Sequence, residues 1–251
     1  MKSRIVISTC ALAATALLCF PFLLTAGTEP AGTRSTSSDT GKRPAAPVVA
    51  PVYNPPTRGA PGGRVGGGTR GKDQTFVLSV LAPNHTGLTS QAQPVLYWYI
   101  SKSVSSPIEF TLIDSGATPI IEKVLVPPAK MGIQRIQLSE LGVRLETGTQ
   151  YRWFLTLVSD PKRRSKDVLA GATIERLDLS ESLDAPVSAV DRISAARHYA
   201  EAGYWYDAIA LLSEQIEATP LDPNPRNQRA ALLQQVGLEE IASYDMNVRG
   251  D

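Results

Sequence analysis

Beyond residue 26 the 251-residue chain has no cysteine, and its only histidines are His85 and His198. Disulfide staples, Cys–His nucleophiles and zinc sites built on thiolates are thereby excluded past that point, so stability must come from ordinary burial, which this length supports. Charge of one sign is also lacking, because 25 Lys and Arg face 24 Asp and Glu. Such a balance argues against generic nucleic-acid binding. No G-x-S-x-G nucleophile elbow occurs, and the one S-x-x-K, Ser159 with Lys162, contains Pro161 and falls at the end of a strand-like run. No pair of carboxylates is set by spacing as acid and base, and no metal or organic cofactor is expected. After residue 24 no apolar run approaches the ~20 residues of a membrane span.

What is present begins with an export pattern. Lys2 and Arg4 precede an apolar run over residues 5–24, broken only by Ser8, Thr9, Thr15 and Pro21, and small residues follow at Thr25, Ala26, Gly27 and Thr28. This order predicts a signal peptide over residues 1–26, a mature chain starting near Gly27 or Thr28, and a periplasmic, cell-surface or secreted location. The alternative is an uncleaved single anchor over residues 5–24, because Leu24 is large for the third place before a cut after Ala26. Residues 27–72 carry seven basic and two acidic residues, whereas residues 73–251 carry sixteen and twenty-two. A basic arm thus precedes an acidic body.

Residues 27–75 are dominated by Pro, Gly, Ser, Thr and Ala, with only isolated apolar residues such as Val52 and Tyr53, and predict a disordered tether. Its end, residues 58–71, reads RGAPGGRVGGGTRG, with seven glycines and three arginines. Gly66, Gly68 and Gly71 satisfy G-x-G-x-x-G, and Gly66 with Gly71 and Lys72 approach a P-loop that has Asp73 in place of the hydroxyl residue. Neither is read as a phosphate site. Both need a strand before the loop and a helix after it, whereas here a tether precedes and a strand-like run follows.

From residue 76 the pattern turns to short β-like runs at 76–81, 95–100, 109–114, 120–126, 133–138, 150–158 and 168–176, divided by turn residues such as Ser115-Gly116 and Asp160-Pro161. In the sixth run Tyr151, Trp153, Leu155 and Leu157 share one face, as in a half-buried strand. The second run is apolar on both faces, and Tyr97, Trp98 and Tyr99 are read as core rather than a sugar platform, as are Tyr204, Trp205 and Tyr206. Leu145, Gly148, Thr149, Tyr151 and Trp153 resemble the L-x-P-G-T-x-Y-x-W segment of fibronectin type III and related immunoglobulin-like domains. That resemblance implies a corner in which Tyr151 hydrogen-bonds to backbone near Leu145.

Later, Ala196, Tyr199, Gly203, Ala208, Leu212 and Pro220 resemble the tetratricopeptide repeat in register, and Ala230, Leu233, Gly237 and Ala242 continue it into a second, truncated unit. The expected fold is therefore mixed and mainly β: an immunoglobulin/fibronectin-like β-sandwich over residues 76–180, then small tetratricopeptide-like helical hairpins over residues 188–246. Fewer than three repeats do not close a solenoid, so the helices are expected to dock on the sandwich.

The best candidate site is the KRRSKD segment, where Arg163 and Arg164 suit carboxylate or phosphate partners and Ser165 and Asp167 supply hydrogen bonds that fix the loop. Arg64 and Arg70 of the glycine stretch join it as partner contacts. Taken in order, residues 59–71, 94–100, 151–153, 164–167, 171–176 and 200–212 are similar to the family known as domain of unknown function 928. That family of exported cyanobacterial proteins has no assigned activity, so the resemblance implies export and this architecture and carries over no catalytic residue. Together these features favour a non-enzymatic cell-envelope module that binds a protein or peptide, with an envelope or secreted protein as partner, no nucleic acid, and no membrane span once the signal is removed. The alternative is a glycan-binding or glycan-processing envelope protein.

Overall fold

Alternation along residues 150–158 demands one buried face, and in the computed structural model Tyr151, Trp153, Leu155 and Leu157 are all buried. The structure describes residues 50–56, 63–69, 76–179 and 192–248. Among them run nine strands: β1 (Gly67–Thr69), β2 (Phe76–Val80), β3 (Gly87–Thr89), β4 (Val95–Ile100), β5 (Ile108–Ile113), β6 (Pro119–Leu125), β7 (Gly132–Gln137), β8 (Gln150–Leu157) and β9 (Val168–Arg176). They form a sheet of order β1-β2-β4-β7 and a second of order β3-β9-β8-β5-β6. Only the β3–β9 pair is parallel among the named strands. Seven strands overlap the seven expected runs; β1 and β3 are three residues each, too short for a period-2 signal.

The region is followed by four helices, so the fold is mixed, with two sheets first and helices after. These are α1 (Arg192–Glu201), α2 (Trp205–Ala218), α3 (Pro223–Gln235) and α4 (Glu239–Asn247). Gly203 and Gly237 end the first helix of each pair with φ of +87° and +72°, a conformation that L side chains rarely adopt. Asp222 caps α3 by accepting from the Asn224 N–H, with Pro223 in the first turn. Positions 34 residues apart match in burial, Ala196 with Ala230, Tyr199 with Leu233 and Ala208 with Ala242. The final helix is the short one, nine residues against fourteen in α2.

The first turn of α2 joins the helices to the sheets. The Trp153 indole N–H donates to the Tyr206 hydroxyl at 3.0 Å, and that hydroxyl donates to the Thr173 carbonyl at 3.2 Å. Trp205 donates to the Leu81 carbonyl at 2.8 Å, and Asp207 accepts from the Ser90 backbone N–H at 3.0 Å and from its hydroxyl. A Cβ on Gly87 would lie 2.6 Å from the Tyr206 ring, so β3 has glycine where the helix closes on it. β4 is buried on both faces, as its sequence predicts, with Tyr99 ring-packed against Tyr244 of α4 at 5.1 Å.

The disordered tether expected over residues 27–75 is not what residues 50–56 and 63–69 form. Val65 exchanges two backbone hydrogen bonds of 2.8 Å with Gly171 of β9, and β1 pairs with β2, so the glycine-rich stretch crosses from one sheet to the other. Upstream, Tyr53 is buried edge-on against Trp205 at 4.9 Å and stacked on His85, whose Nε2 lies 2.8 Å from its hydroxyl. Its N–H donates to Gln235, and Gln235 donates to the Pro51 carbonyl. The side chain of Tyr53 packs on a core that the helices and the β2–β3 connection supply. The signal-peptide reading and residues 180–191 lie outside the described residues.

Removing the Tyr206 hydroxyl orphans a buried indole N–H. Tyr206→Phe is expected to cost about 1–3 kcal/mol in urea unfolding; an unchanged midpoint would remove this bond from the docking account. Burial holds the Asp207 carboxyl above the usual carboxylate range, against the pull of its hydrogen bonds from Ser90. A raised folded value makes its stabilising contribution full below the unfolded value of ~3.9 and lost as pH rises through the folded value. Wild-type stability relative to Asp207→Asn should therefore fall as pH rises above about 4, and parallel curves would contradict this.

Candidate functional site

The residues singled out in sequence are largely engaged within the protein. Arg64 donates to the carbonyls of Ala82 at 2.9 Å, Val236 at 3.0 Å and Gly237 at 3.1 Å, clasping the α3–α4 turn to the β2–β3 connection. Arg70 lies outside the described residues. Arg164 sends two hydrogen bonds of 3.0 and 2.6 Å to Glu109 of β5 and pairs with Asp167 at 2.6 Å. The Glu109 carboxyl is accordingly held below its ordinary range by the Arg164 hydrogen bonds. Arg163 turns to Asp160 at 2.8 Å, and Ser165 is exposed in a short 3₁₀ turn, Arg164–Lys166. Arg164, Asp167 and Glu109 thus tie the β8–β9 connection to β5, and Arg64 belongs to a different contact. The six aromatics at positions 97–99 and 204–206 are all buried.

A different group of side chains converges where β7 meets the helices, around a cleft of about 460 Å³. Arg229 of α3 donates two hydrogen bonds of 2.7 Å to Asp245 of α4 and a third of 2.7 Å to Ser213 of α2. Arg229 and Asp245 are almost fully buried, with side-chain exposures of 6% and 1%. Arg226, one turn earlier on α3, also faces Asp245, but at 3.6 Å, beyond hydrogen-bond reach, and among the described residues its buried Nε has no acceptor. Two guanidiniums therefore share one carboxylate. Arg135 of β7 reaches across to Glu217 of α2 at 2.7 Å, an exposed and salt-screened bridge. Burial pushes the Tyr97 phenol beside them up to about 12, assisted by Glu217.

This cleft has a physical signature of anion recognition, with a surplus guanidinium in a partly dry setting. Gly132, at φ +116°, opens it, because a Cβ there would come within 2.5 Å of the Tyr244 hydroxyl. None of the cleft's charged groups was among the sequence candidates. One signal did exist: Arg229 lies on the buried stripe of α3 with Pro225, Gln228, Leu232 and Leu233, where a charge needs a partner. Among the described residues no group of His, Cys, Asp and Glu is arranged to hold a metal ion, and no helix is long and apolar enough to cross a membrane.

With two sheets, four appended helices and this cleft in view, comparison places the chain in a family. It belongs to the family described as Domain of Unknown Function (DUF928), whose model matches residues 65–246. No curated protein matches the chain. It is similar to the solution structures of the fn3 domain of human collagen alpha-1(XX) chain, with 9% identity and a TM-score of 0.25, covering 54% of this chain and 98% of that one. It is also similar to a multi-domain immunophilin from Arabidopsis thaliana, with 10% identity, a TM-score of 0.16, and coverage of 76% and 98%. TM-scores this low carry no argument about function.

Deleting the shared carboxylate leaves a buried guanidinium uncompensated. Asp245→Ala is expected to destabilise the protein by about 3–5 kcal/mol in urea unfolding, because the desolvation of Arg229 is no longer offset. The exposed Arg163→Ala change should leave the midpoint nearly where it was; equal losses in the two variants would contradict the burial argument.

Proposed function

We propose that this chain is an exported, non-enzymatic interaction module of the cell envelope that binds a protein or peptide partner, with the cleft between β7 and the helices as the contact. The surplus of guanidinium over carboxylate beside Asp245 carries this reading, because a desolvated cation with an unused donor gains most from an incoming anion. The other charged groups of the cleft already pair with one another, which suits recognition better than proton transfer. Arg163 and Ser165 stay exposed and add a secondary polar contact.

In this reading the two sheets are an immunoglobulin/fibronectin-like sandwich, supported by the Tyr151 hydroxyl accepting the Glu146 N–H at 3.1 Å as a tyrosine corner does. The helices are tetratricopeptide-like hairpins, supported by the turn glycines Gly203 and Gly237 standing 34 residues apart. Such combinations serve binding, which is an argument by analogy of architecture. A photo-crosslinking residue at Met131, an exposed position on the cleft, should yield a discrete protein adduct in the producing cells, whereas the same residue at Ile120 on β6 should not. Equal capture at both positions, or none at Met131, would count against the cleft as contact site.

A further inference from the structure

Resting on the reading of the cleft as the contact site, we propose that its ligand is an extended acidic peptide, laid alongside β7 as an added strand and presenting one Asp or Glu carboxylate to Arg226. β7 ends the four-stranded sheet, so among the described residues one row of its backbone N–H and C=O groups has no partner strand. Gly132, Ile133, Gln134 and Arg135 all line the cleft, although successive side chains of a strand point to opposite faces. Tyr97 of β4, the register partner of Arg135, lines the cleft from the sheet face, and the four consecutive residues of β7 carry the open volume on to the strand's edge. A free edge beside a concave site is the geometry by which extended peptides are bound, with main-chain pairing for affinity and side-chain pockets for selectivity.

The charges select which peptide. Arg229 is held by Asp245 and Ser213 and is buried, so it orients the carboxylate and is not itself available. Arg226 lines the cleft with its guanidinium 3.6 Å from that carboxylate, beyond hydrogen-bond reach, and is the group an incoming anion engages. One carboxylate balances the cleft. A polyanion does not, because Glu217 and Asp245 line the same space and residues 178–251 carry thirteen acidic against five basic residues. Met131, Ile133, Ile216 and Val248 supply apolar lining for neighbouring side chains of the peptide.

The test is selection of a random heptapeptide library, fused at both ends so that no free carboxyl terminus is displayed, on the full chain. Selected sequences should share one Asp or Glu among β-favouring apolar residues. A selected peptide, synthesised with acetylated and amidated ends, should lose affinity about tenfold or more on Arg226→Met or on Glu→Gln in the peptide, and little on Lys123→Ala at an exposed position of β6. Arg226→Lys, which keeps the charge without the fork, should retain part of the affinity, and an urea midpoint for each variant separates binding from folding. Hydrogen exchange should slow at residues 132–137 when the peptide binds. Acid-free selected sequences, binding indifferent to Arg226→Met, protection confined to another strand, or no enrichment at all would overturn the inference. A specific adduct at Met131 together with any of these results would leave the cleft as contact site and remove only the peptide strand.

Discussion

The Tyr206 hydroxyl sits where no water replaces a lost partner, between the Trp153 indole and the Thr173 carbonyl, and each of its neighbours is similarly committed. The net worth of each such bond is only about 0.5–1.5 kcal/mol, but leaving a buried donor unmade costs about 1–3 kcal/mol. The penalty therefore acts mainly as a constraint on position: any slide of α2 along the sheets breaks the Trp205, Tyr206 and Asp207 contacts together. Ser213, Ile216 and Glu217 follow on the same helix, roughly 10–17 Å further along at 1.5 Å per residue. The register locked at Tyr206 is carried to the wall of the cleft by a rigid rod.

The glycine-rich stretch shows how a low-complexity sequence takes part in a specific structure. Gly171 on β9 has no room for a side chain, since a Cβ would meet the Phe154 ring at 2.4 Å and the Trp153 carbonyl at 2.7 Å. Val65 reaches the same β9 edge whose far half pairs with β3, and β1 then leaves for β2. Arg64 adds three carbonyl contacts from a side chain that its surroundings desolvate. Its charge serves the fold, so Arg64 is not part of a free basic arm.

Periodicity made much of the architecture visible before any coordinates. The alternation around Trp153, the two apolar faces of residues 95–100 and the spacing of Ala196, Gly203 and Ala208 are local signals, and each corresponds to an element found. β3 left no such trace, because three residues with a glycine at their head contain no period, and its parallel pairing depends on the distant β9. Tyr53 reads as an isolated aromatic in a proline-rich segment, since the groove that receives it is formed by His85 and Trp205. The cleft was hidden for the same reason: Arg226, Arg229 and Asp245 become a charge surplus only once α3 and α4 lie side by side against β7. Arg229 alone betrayed itself, by occupying an apolar stripe.

The bond from the Tyr53 N–H to Gln235 spans 182 positions of sequence. A chain made from its N-terminus has Tyr53 long before its acceptor exists, and closing so large a loop yields no gain until the helices that form the receiving groove have themselves docked. Residues 51–54 are thus synthesised long before the groove that receives them is complete. The ring of Trp205 at the head of α2 is covered by a residue 152 positions before it, so the seal on the helices is made by the most N-terminal of the described segments.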